Sequence, residues 1–132
     1  MLSRIAAREL AFELIFEKDF RDEAVEDILA DAVEARQVEH DTFALETATG
    51  VYSHLAEIDE AIRAHLQGWT IQRVSKVALS VLRLSVYEIL FTDIPDSVSI
   101  NEAVELAKKF GGDEDSSYVN GVLGSIARSK EA

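Results

Sequence analysis

The chain has 132 residues, 48% of them apolar and 29% charged, with 13 Lys and Arg against 25 Asp and Glu. This length suits one globular domain, and the absence of cysteine excludes disulfides, a thiolate nucleophile and cysteine-ligated metals. No apolar run approaches the ~20 residues that cross a bilayer, and the stretch from Met1 to Glu13 does not resemble a signal peptide. The sequence therefore predicts a soluble cytoplasmic protein.

The negative charge is concentrated in one part of the chain. A formal net charge of −12 argues against generic nucleic-acid binding, because phosphate contacts need clustered Lys and Arg. Residues 19–60 contain 13 acidic side chains and only Arg21 and Arg36 as bases, a net charge of −11, whereas the rest of the chain carries −1. The ends and the C-terminal half therefore retain the capacity to present a local basic face.

Scarce proline and glycine, with abundant Ala, Leu, Ile and Glu, predict an all-α bundle in one domain, with halves of about 1–68 and 69–132. Ser3, Asp59 and a capping box that starts at Ser99 are placed to begin helices, and Gly111-Gly112 to end one. In chain order the predicted helices cover 3–18, 24–35, 41–55, 59–68, 74–90, 99–110 and a last segment from 113 onward.

The first helix places two arginines where apolar residues are expected. At 100° per residue, Arg4 and Arg8 project from the middle of an apolar arc that includes Leu10, Leu14 and Ile15. Cations at this end also oppose the helix dipole, at a cost of roughly 0.3–1 kcal/mol each. Either the first turn overhangs the core and the side chains extend to water, or a ligand outside the protein is their destination. Both interpretations stay open from the residues alone.

The segment 74–90 is apolar on nearly all sides, which predicts a central, buried helix. Glu88 within it is unusual, because a buried carboxylate without a partner is costly. We expect it to be a hydrogen-bonded structural residue, with Arg73, Lys76 or Arg83 as the pairing cation.

The sequence contains no recognisable catalytic motif. His40, His54 and His65 are too far apart to form a local metal-binding pair, and His54 with Glu57 on one helix face falls far short of a site. There is no glycine-rich phosphate loop and no nucleophile elbow. No enzyme activity, metal or cofactor is predicted.

Three stretches carry motifs that occur together in one bacterial family. The first is the arginine-bearing opening at 4–11, and the second is the run 77–90 with its Leu-Arg-Leu and Tyr-Glu pairs. The third spans 94–123 and includes Asn101-Glu102-Ala103 and Val119-Asn120-Gly121-Val122-Leu123, the most specific part. Taken together, essentially the whole chain resembles the NusB family of bacterial transcription antitermination factors.

The resemblance implies a seven-helix, all-α fold in two subdomains and no catalysis. Members of this family bind the boxA element of nascent ribosomal-RNA transcripts as a heterodimer with NusE, a small-subunit ribosomal protein. The complex joins NusA, NusG and RNA polymerase. The implied function is a non-catalytic RNA-binding adaptor in transcription antitermination. Homodimers that hide the RNA face occur in the family, so a homodimer is also conceivable for this chain.

The resemblance also implies site residues. Aromatic rings stack unpaired bases and cations contact phosphates, so an acidic chain needs only a few such groups, especially if a basic partner adds more. The residues placed toward RNA are Arg4, Arg8, Phe16, Lys18, Tyr118 and Asn120. Those placed toward NusE are Arg73, Lys76, Arg83, Tyr87 and Glu88. Asn120, Tyr87 and Glu88 have purely structural interpretations as well.

Two departures from the family pattern remove positive charge from the implied RNA face. Ile5, Ala6 and Ala7 stand where relatives commonly have further arginines, and Ser117 stands where a basic residue usually precedes the aromatic one. We therefore expect weaker intrinsic RNA affinity than in an arginine-rich relative, with greater reliance on the partner.

Two other functions fit the same fold. One is a protein–protein interaction module that has lost RNA binding, which the net charge of −12 favours. The other is a fragment of a ribosomal-RNA cytosine methyltransferase with a NusB-like N-terminal domain. Because the sequence stops at Ala132 with no methyl-donor domain, we expect the adaptor rather than the enzyme.

Overall fold

The structure, a computed structural model, describes residues 2–68 and 70–131, so that Met1, Trp69 and Ala132 lie outside it. The described residues form seven α-helices and one short 3-10 helix, with no strand among them. Their bounds are α1 (Arg4–Lys18), α2 (Val25–Arg36), α3 (Thr42–Ser53), α4 (Leu55–Arg63), the 3-10 helix (Ile71–Arg73), α5 (Lys76–Phe91), α6 (Asp96–Gly111) and α7 (Asp113–Glu131). The expected all-α bundle is confirmed, while the division into halves near residue 70 stays a prediction.

Several helix ends lie where local sequence places them. The Ser3 hydroxyl accepts a hydrogen bond of 3.1 Å from the N–H three residues on, and the Asp41 carboxylate does the same for α3 at 2.9 Å. At the end of α6, Gly112 has a φ of 92°, which glycine adopts without steric cost. The predicted starts of α1 and α3 and the predicted end of α6 are confirmed.

The predicted start of the fourth helix is wrong. α4 begins at Leu55, and Asp59 lies inside the helix rather than at its cap. Its carboxylate is buried and accepts two hydrogen bonds from Arg83 of α5. A distant guanidinium, not the local backbone, therefore determines the role of this aspartate.

The predicted capping box of the sixth helix is also wrong. α6 begins at Asp96, directly after Pro95, whose φ of −57° suits a helix start and whose missing N–H costs nothing there. Ser99 lies in the second turn, and its buried hydroxyl donates to the Glu88 carboxylate at 2.8 Å. The serine side chain therefore makes a hydrogen bond in the protein interior and does not cap the helix.

α5 is the central element of the core, as the sequence predicts. Its residues Val81, Leu82, Leu84 and Val86 are buried, and the helix contacts α1, α3, α4, α6 and α7. α6 returns alongside α5, and α7 packs against both of them. None of the helices in the described part of the chain combines the length and apolar character that a membrane span requires.

Candidate nucleic-acid interface

Two cations and three rings recur every four residues along α1 and the turn after it. Because residues four apart share a helix face, Arg4, Arg8, Phe12, Phe16 and Phe20 form one ridge, and its two ends are about 20 Å apart. Arg4 and Phe20 are exposed, whereas Arg8 and Phe12 are only 4% and 3% exposed. The ridge therefore reaches the surface as two separate places, which we call the arginine end and the aromatic end.

At the arginine end, Arg4 is accessible and lies against a ring. Its guanidinium carbon is 3.9 Å from the centroid of Phe43 at the start of α3, a cation–π contact. Arg4 also borders an open depression formed with the turn between α5 and α6, where Asp93 and Pro95 lie. A cation that stacks on one ring and faces solvent on its other side can contact a phosphate or a base.

Arg8 at the same end is engaged inside the protein. Its Nε donates to Glu88 at 2.9 Å, and Ser99, itself 2.8 Å from the Ser85 hydroxyl, donates to the other Glu88 oxygen. The Glu88 side chain is fully buried, so this network ties α1, α5 and α6 together. The expectation that Arg8 is displayed on the surface is wrong. The interpretation of Glu88 as a hydrogen-bonded structural residue is confirmed, but its cation comes from α1 rather than from α5 or the residues before it.

At the aromatic end the rings form a row that becomes more exposed along α1. The Phe12 and Phe16 centroids are 6.0 Å apart, those of Phe16 and Phe20 are 5.3 Å apart, and Phe110 of α6 lies 4.8 Å from Phe12. Glu13 borders the groove beside these rings, and burial raises the pKa of its carboxyl. Phe16 is half-buried and presents part of its ring to solvent, as the implied role in stacking requires.

Tyr118 reaches the same end of the molecule from α7. The Ser75 hydroxyl donates to Asp115 at 3.0 Å, which joins the start of α5 to the start of α7. Tyr118 lines a cavity of about 190 Å³ beside Arg73 and Ala78, and burial raises the pKa of its phenol. Since the groove at Phe16 borders the same first turn of α5, the structure brings Phe16, Tyr118 and the exposed Arg73 to one end.

Asn120 lies on a different face of α7 from Tyr118. Two residues correspond to a rotation of about 200° around a helix, so the two side chains point apart. Asn120 borders an open groove that also contains Glu102 and Glu105. These carboxylates make the surroundings of Asn120 unfavourable for a phosphate.

Lys18 is likewise on another face of α1 from Phe16. Its ammonium donates to the carbonyl oxygen of Asp22 at 3.3 Å and lies 5.9 Å from the ring centroid of Tyr52 in α3. The aromatic rings are accompanied by two other cations, Lys109 at 5.4 Å from the Phe110 centroid and Lys76 at 6.0 Å from the Phe20 centroid.

Arg83, predicted to face a partner, lies in the interior. Its Nε and Nη2 donate to both carboxylate oxygens of Asp59 at 2.9 and 3.0 Å, and its Nη1 donates to Asp19 at 3.1 Å. Burial alone would lower the pKa of Arg83, but these bonds outweigh it and raise the pKa. The network fastens α4 and the end of α1 to α5, and the burial of Arg83, which is 7% exposed, keeps its guanidinium away from a partner.

The other residues predicted to meet a partner divide into surface and interior positions. Arg73 and Lys76 are exposed. Tyr87 is half-buried, and its ring fills the space where a Cβ at Gly50 would lie, so that a glycine is required there. Its ring also stacks 6.0 Å from Phe91. Glu88 is buried, as its bond to Arg8 requires.

Two of the three histidines, His54 and His65, make ordinary polar contacts. His54 Nδ1 is 3.5 Å from Glu57, and His65 Nδ1 is 2.6 Å from the Ser125 hydroxyl. Across residues 2–68 and 70–131, no group of three or more His, Asp and Glu side chains is arranged to hold a metal ion.

The fold and these surfaces define a class of protein. It is an all-α bundle around one buried helix, and its candidate interface consists of cations and aromatic rings at the two ends of α1. The sequence model of the NusB family matches residues 5–128, and the chain belongs to that family. Transcription antitermination protein NusB of Natranaerobius thermophilus is 46% identical, over 96% of this chain and 95% of that protein. Its counterpart in Macrococcus caseolyticus is 41% identical, over 98% and 99% respectively.

Solved structures agree with this assignment. NusB of T. maritima superposes with a TM-score of 0.82 at 38% identity, covering 96% of this chain and 92% of that chain. A crystal structure of antitermination factors NusB and NusE in complex with double-stranded RNA superposes with a TM-score of 0.85 at 28% identity, covering 96% of each chain. The resemblance inferred from three motifs is confirmed over nearly the whole length.

Proposed function

We propose that this protein is a non-catalytic, RNA-binding adaptor in transcription antitermination. It binds boxA-type RNA of nascent ribosomal-RNA transcripts together with NusE, and acts with NusA, NusG and RNA polymerase in the cytoplasm. Membership of the NusB family supports this role, as does the similar NusB that forms a complex with NusE and RNA. The observation that carries the proposal is the pairing of an exposed cation with an aromatic ring at both ends of α1, Arg4 with Phe43 and Lys76 with Phe20.

The proposal assigns direct RNA contact to three of the six residues that the resemblance implies. Arg4 contacts a phosphate or base at the arginine end, and Phe16 and Tyr118 stack bases at the aromatic end. Arg8 acts through the fold by holding α1 against α5. Lys18 and Asn120 lie on other faces and are assigned no direct contact.

The negative charge of the chain makes NusE important for RNA affinity. A net charge of −12 opposes the approach of RNA, and few cations are exposed at the proposed surface, so affinity and its salt dependence are both expected to be low for the protein alone. The test is a titration of fluorescently labelled boxA RNA with the protein, with and without NusE, at several salt concentrations. We expect weak binding alone and much tighter binding with NusE.

Two results would count against this proposal. A stable complex with NusE that gains no RNA affinity selects the interaction module without RNA binding. Strong binding of RNA that does not depend on NusE contradicts the expected reliance on the partner.

Tyr118→Ala tests the stacking contact directly. Removing the ring is expected to weaken RNA binding by about 5- to 150-fold, since stacking on an aromatic side chain is worth ~1–3 kcal/mol per base. Tyr118→Phe is the matched control, because it retains the ring and should bind like the wild type. Equal loss in both variants would show that the hydroxyl, not the ring, is important.

A further inference from the structure

Phe20 is the most exposed ring of the aromatic row. It lies two residues after the end of α1 at Lys18, and the residue is 62% exposed although its ring centroid is 5.3 Å from that of the half-buried Phe16. Its backbone N–H donates to the Glu17 carbonyl at 2.9 Å, which fixes the residue in a turn. The ring is therefore held in a defined position with an open face.

A cation is held beside this open ring. The Lys76 ammonium is 6.0 Å from the Phe20 centroid and 3.0 Å from the Asp19 carboxylate, while its side chain remains 56% exposed. Asp19 is also bonded to Arg83, so its charge is shared between two cations. Lys76 thus keeps donors directed to solvent next to the ring.

The acidic groups near Phe20 are largely engaged. Arg21 pairs with Glu17, Glu23 and Asp31, and Arg36 pairs with Glu17 as well. These ion pairs reduce the repulsion that a phosphate would meet at this point of an acidic chain. A ring with a solvated cation beside it is the combination that single-stranded nucleic acids use, with the base on the ring and the phosphate on the cation.

We propose that Phe20 is a further base-stacking site for an unpaired nucleotide of RNA, with Lys76 in contact with the adjoining phosphate. Lys76, which the family resemblance implies to face NusE, is thereby assigned to RNA instead. This inference rests on the proposed function and extends the RNA surface by one ring beyond Phe16. An apolar protein segment is the competing occupant of the ring, and the experiment separates the two.

The experiment uses the full chain with NusE and boxA RNA that contains 2-aminopurine at successive positions. Stacking on Phe20 quenches the fluorescence of the base that contacts it, which a structural role of Phe20 would not do. Phe20→Leu keeps an apolar side chain and is expected to weaken binding by about 5- to 30-fold and to remove the quenching at one position. Phe20→Trp is expected to retain both the RNA affinity and the quenching. Leu90→Ala, at an exposed apolar residue of α5, is the control and should change neither the RNA affinity nor the quenching.

The outcomes separate this inference from the proposed function. If the wild type binds boxA RNA and Tyr118→Ala weakens it, while Phe20→Leu binds and quenches like the wild type, the stacking role of Phe20 is overturned and the adaptor role stands. If Phe20→Leu instead weakens NusE binding without RNA, the ring is a protein contact and the inference is again overturned. If the wild type with NusE binds no RNA, both proposals fail.

Discussion

The two ends of α1 make opposite use of similar local patterns. At the arginine end the protein binds one of the two guanidinium groups, since Glu88 pairs with the buried Arg8, and only Arg4, on the ring of Phe43, stays accessible. At the aromatic end the protein pairs its charges with one another, Lys76 with Asp19, and leaves the ring of Phe20 open. A helix ridge thus defines which residues line up, but the helices packed across it determine which of them can meet a ligand.

This difference has energetic consequences. A buried ion pair at the arginine end contributes to stability mainly because losing one partner leaves an uncompensated charge. The more exposed pair of Lys76 and Asp19 at the aromatic end contributes less by itself, although Asp19 also binds the buried Arg83. Substitutions at the arginine end that break the buried pair should therefore change unfolding most, and substitutions of exposed groups should change RNA binding instead.

Glu88→Ala is expected to have the largest effect. It leaves the buried Arg8 without its carboxylate, a loss of about 3–5 kcal/mol in the free energy of unfolding. Urea unfolding followed by circular dichroism measures it, with the exposed Glu105→Ala of α6 as the control. Replacing both partners, Arg8→Met with Glu88→Leu, should recover most of the loss. A cost below about 1 kcal/mol for Glu88→Ala would contradict the structural role.

Asp19→Asn is expected to have an intermediate effect that depends on pH. Burial raises the pKa of Asp19, but hydrogen bonds from Lys76 and Arg83 outweigh it, so the pKa lies below its ordinary value of 3.8. The ionised carboxylate thus stabilises the fold above about pH 4 and loses this effect as the pH falls through its lowered pKa. We expect Asp19→Asn to cost ~1–2 kcal/mol at pH 7.

The pH dependence is the sharper part of that test. The difference between wild type and Asp19→Asn in urea unfolding should shrink steadily from pH 5 to pH 2.5. Asp22→Asn, at an exposed neighbour, should show no such trend. A difference that stays constant with pH would show that ionisation of Asp19 is not responsible.

Arg4→Ala is expected to have the smallest effect on stability. An exposed cation–π contact is worth only about 0.5–1 kcal/mol, so the change in unfolding free energy should not exceed that. Binding of boxA RNA should nevertheless weaken at all salt concentrations, and the slope of log K against log salt should fall by about 1. Arg63→Ala, at an exposed arginine of α4, should leave the slope unchanged. An unaltered slope in Arg4→Ala would remove Arg4 from the RNA surface.

Local sequence determines those features of the fold that depend on neighbouring residues. Ser3 caps α1 because its hydroxyl is within reach of its own helix, and Gly112 ends α6 because its backbone conformation favours glycine. The length and apolar character of 74–90 similarly predict the central helix. None of these interpretations needs knowledge of the rest of the chain.

Residues whose partners are distant could not be assigned in this way. Asp59 and Ser99 both resemble helix caps, but each is bound by a side chain of another helix, Arg83 and Glu88 respectively. Arg8 and Glu88 are 80 residues apart, so periodicity shows both to be anomalous without showing that they pair. The choice between a cap, a ligand contact and a buried ion pair is made by tertiary packing.

Local sequence is also insufficient to assign all residues of the candidate site. The family resemblance implies Phe16 and Tyr118, and the structure brings them to one end of the molecule. Phe20, the further stacking site that we propose, is not implied by the resemblance, although its spacing of four from Phe16 continues the row that Phe12 begins. The sequence predicts correctly that α1 ends at Lys18, but only the packing of the other helices shows that the ring of Phe20 stays uncovered.

The buried ion pairs have a consequence for the autonomy of the two parts of the chain. Arg8 and Asp59 belong to the segment before residue 70, and their counter-ions, Glu88 and Arg83, belong to the segment after it. Each segment thus contributes one guanidinium and one carboxylate to the two ion pairs that join them. If the chain were cut near residue 70 and the pieces were separated, we expect each piece to lose the counter-ions of one guanidinium and one carboxylate, so that neither piece would fold as stably alone.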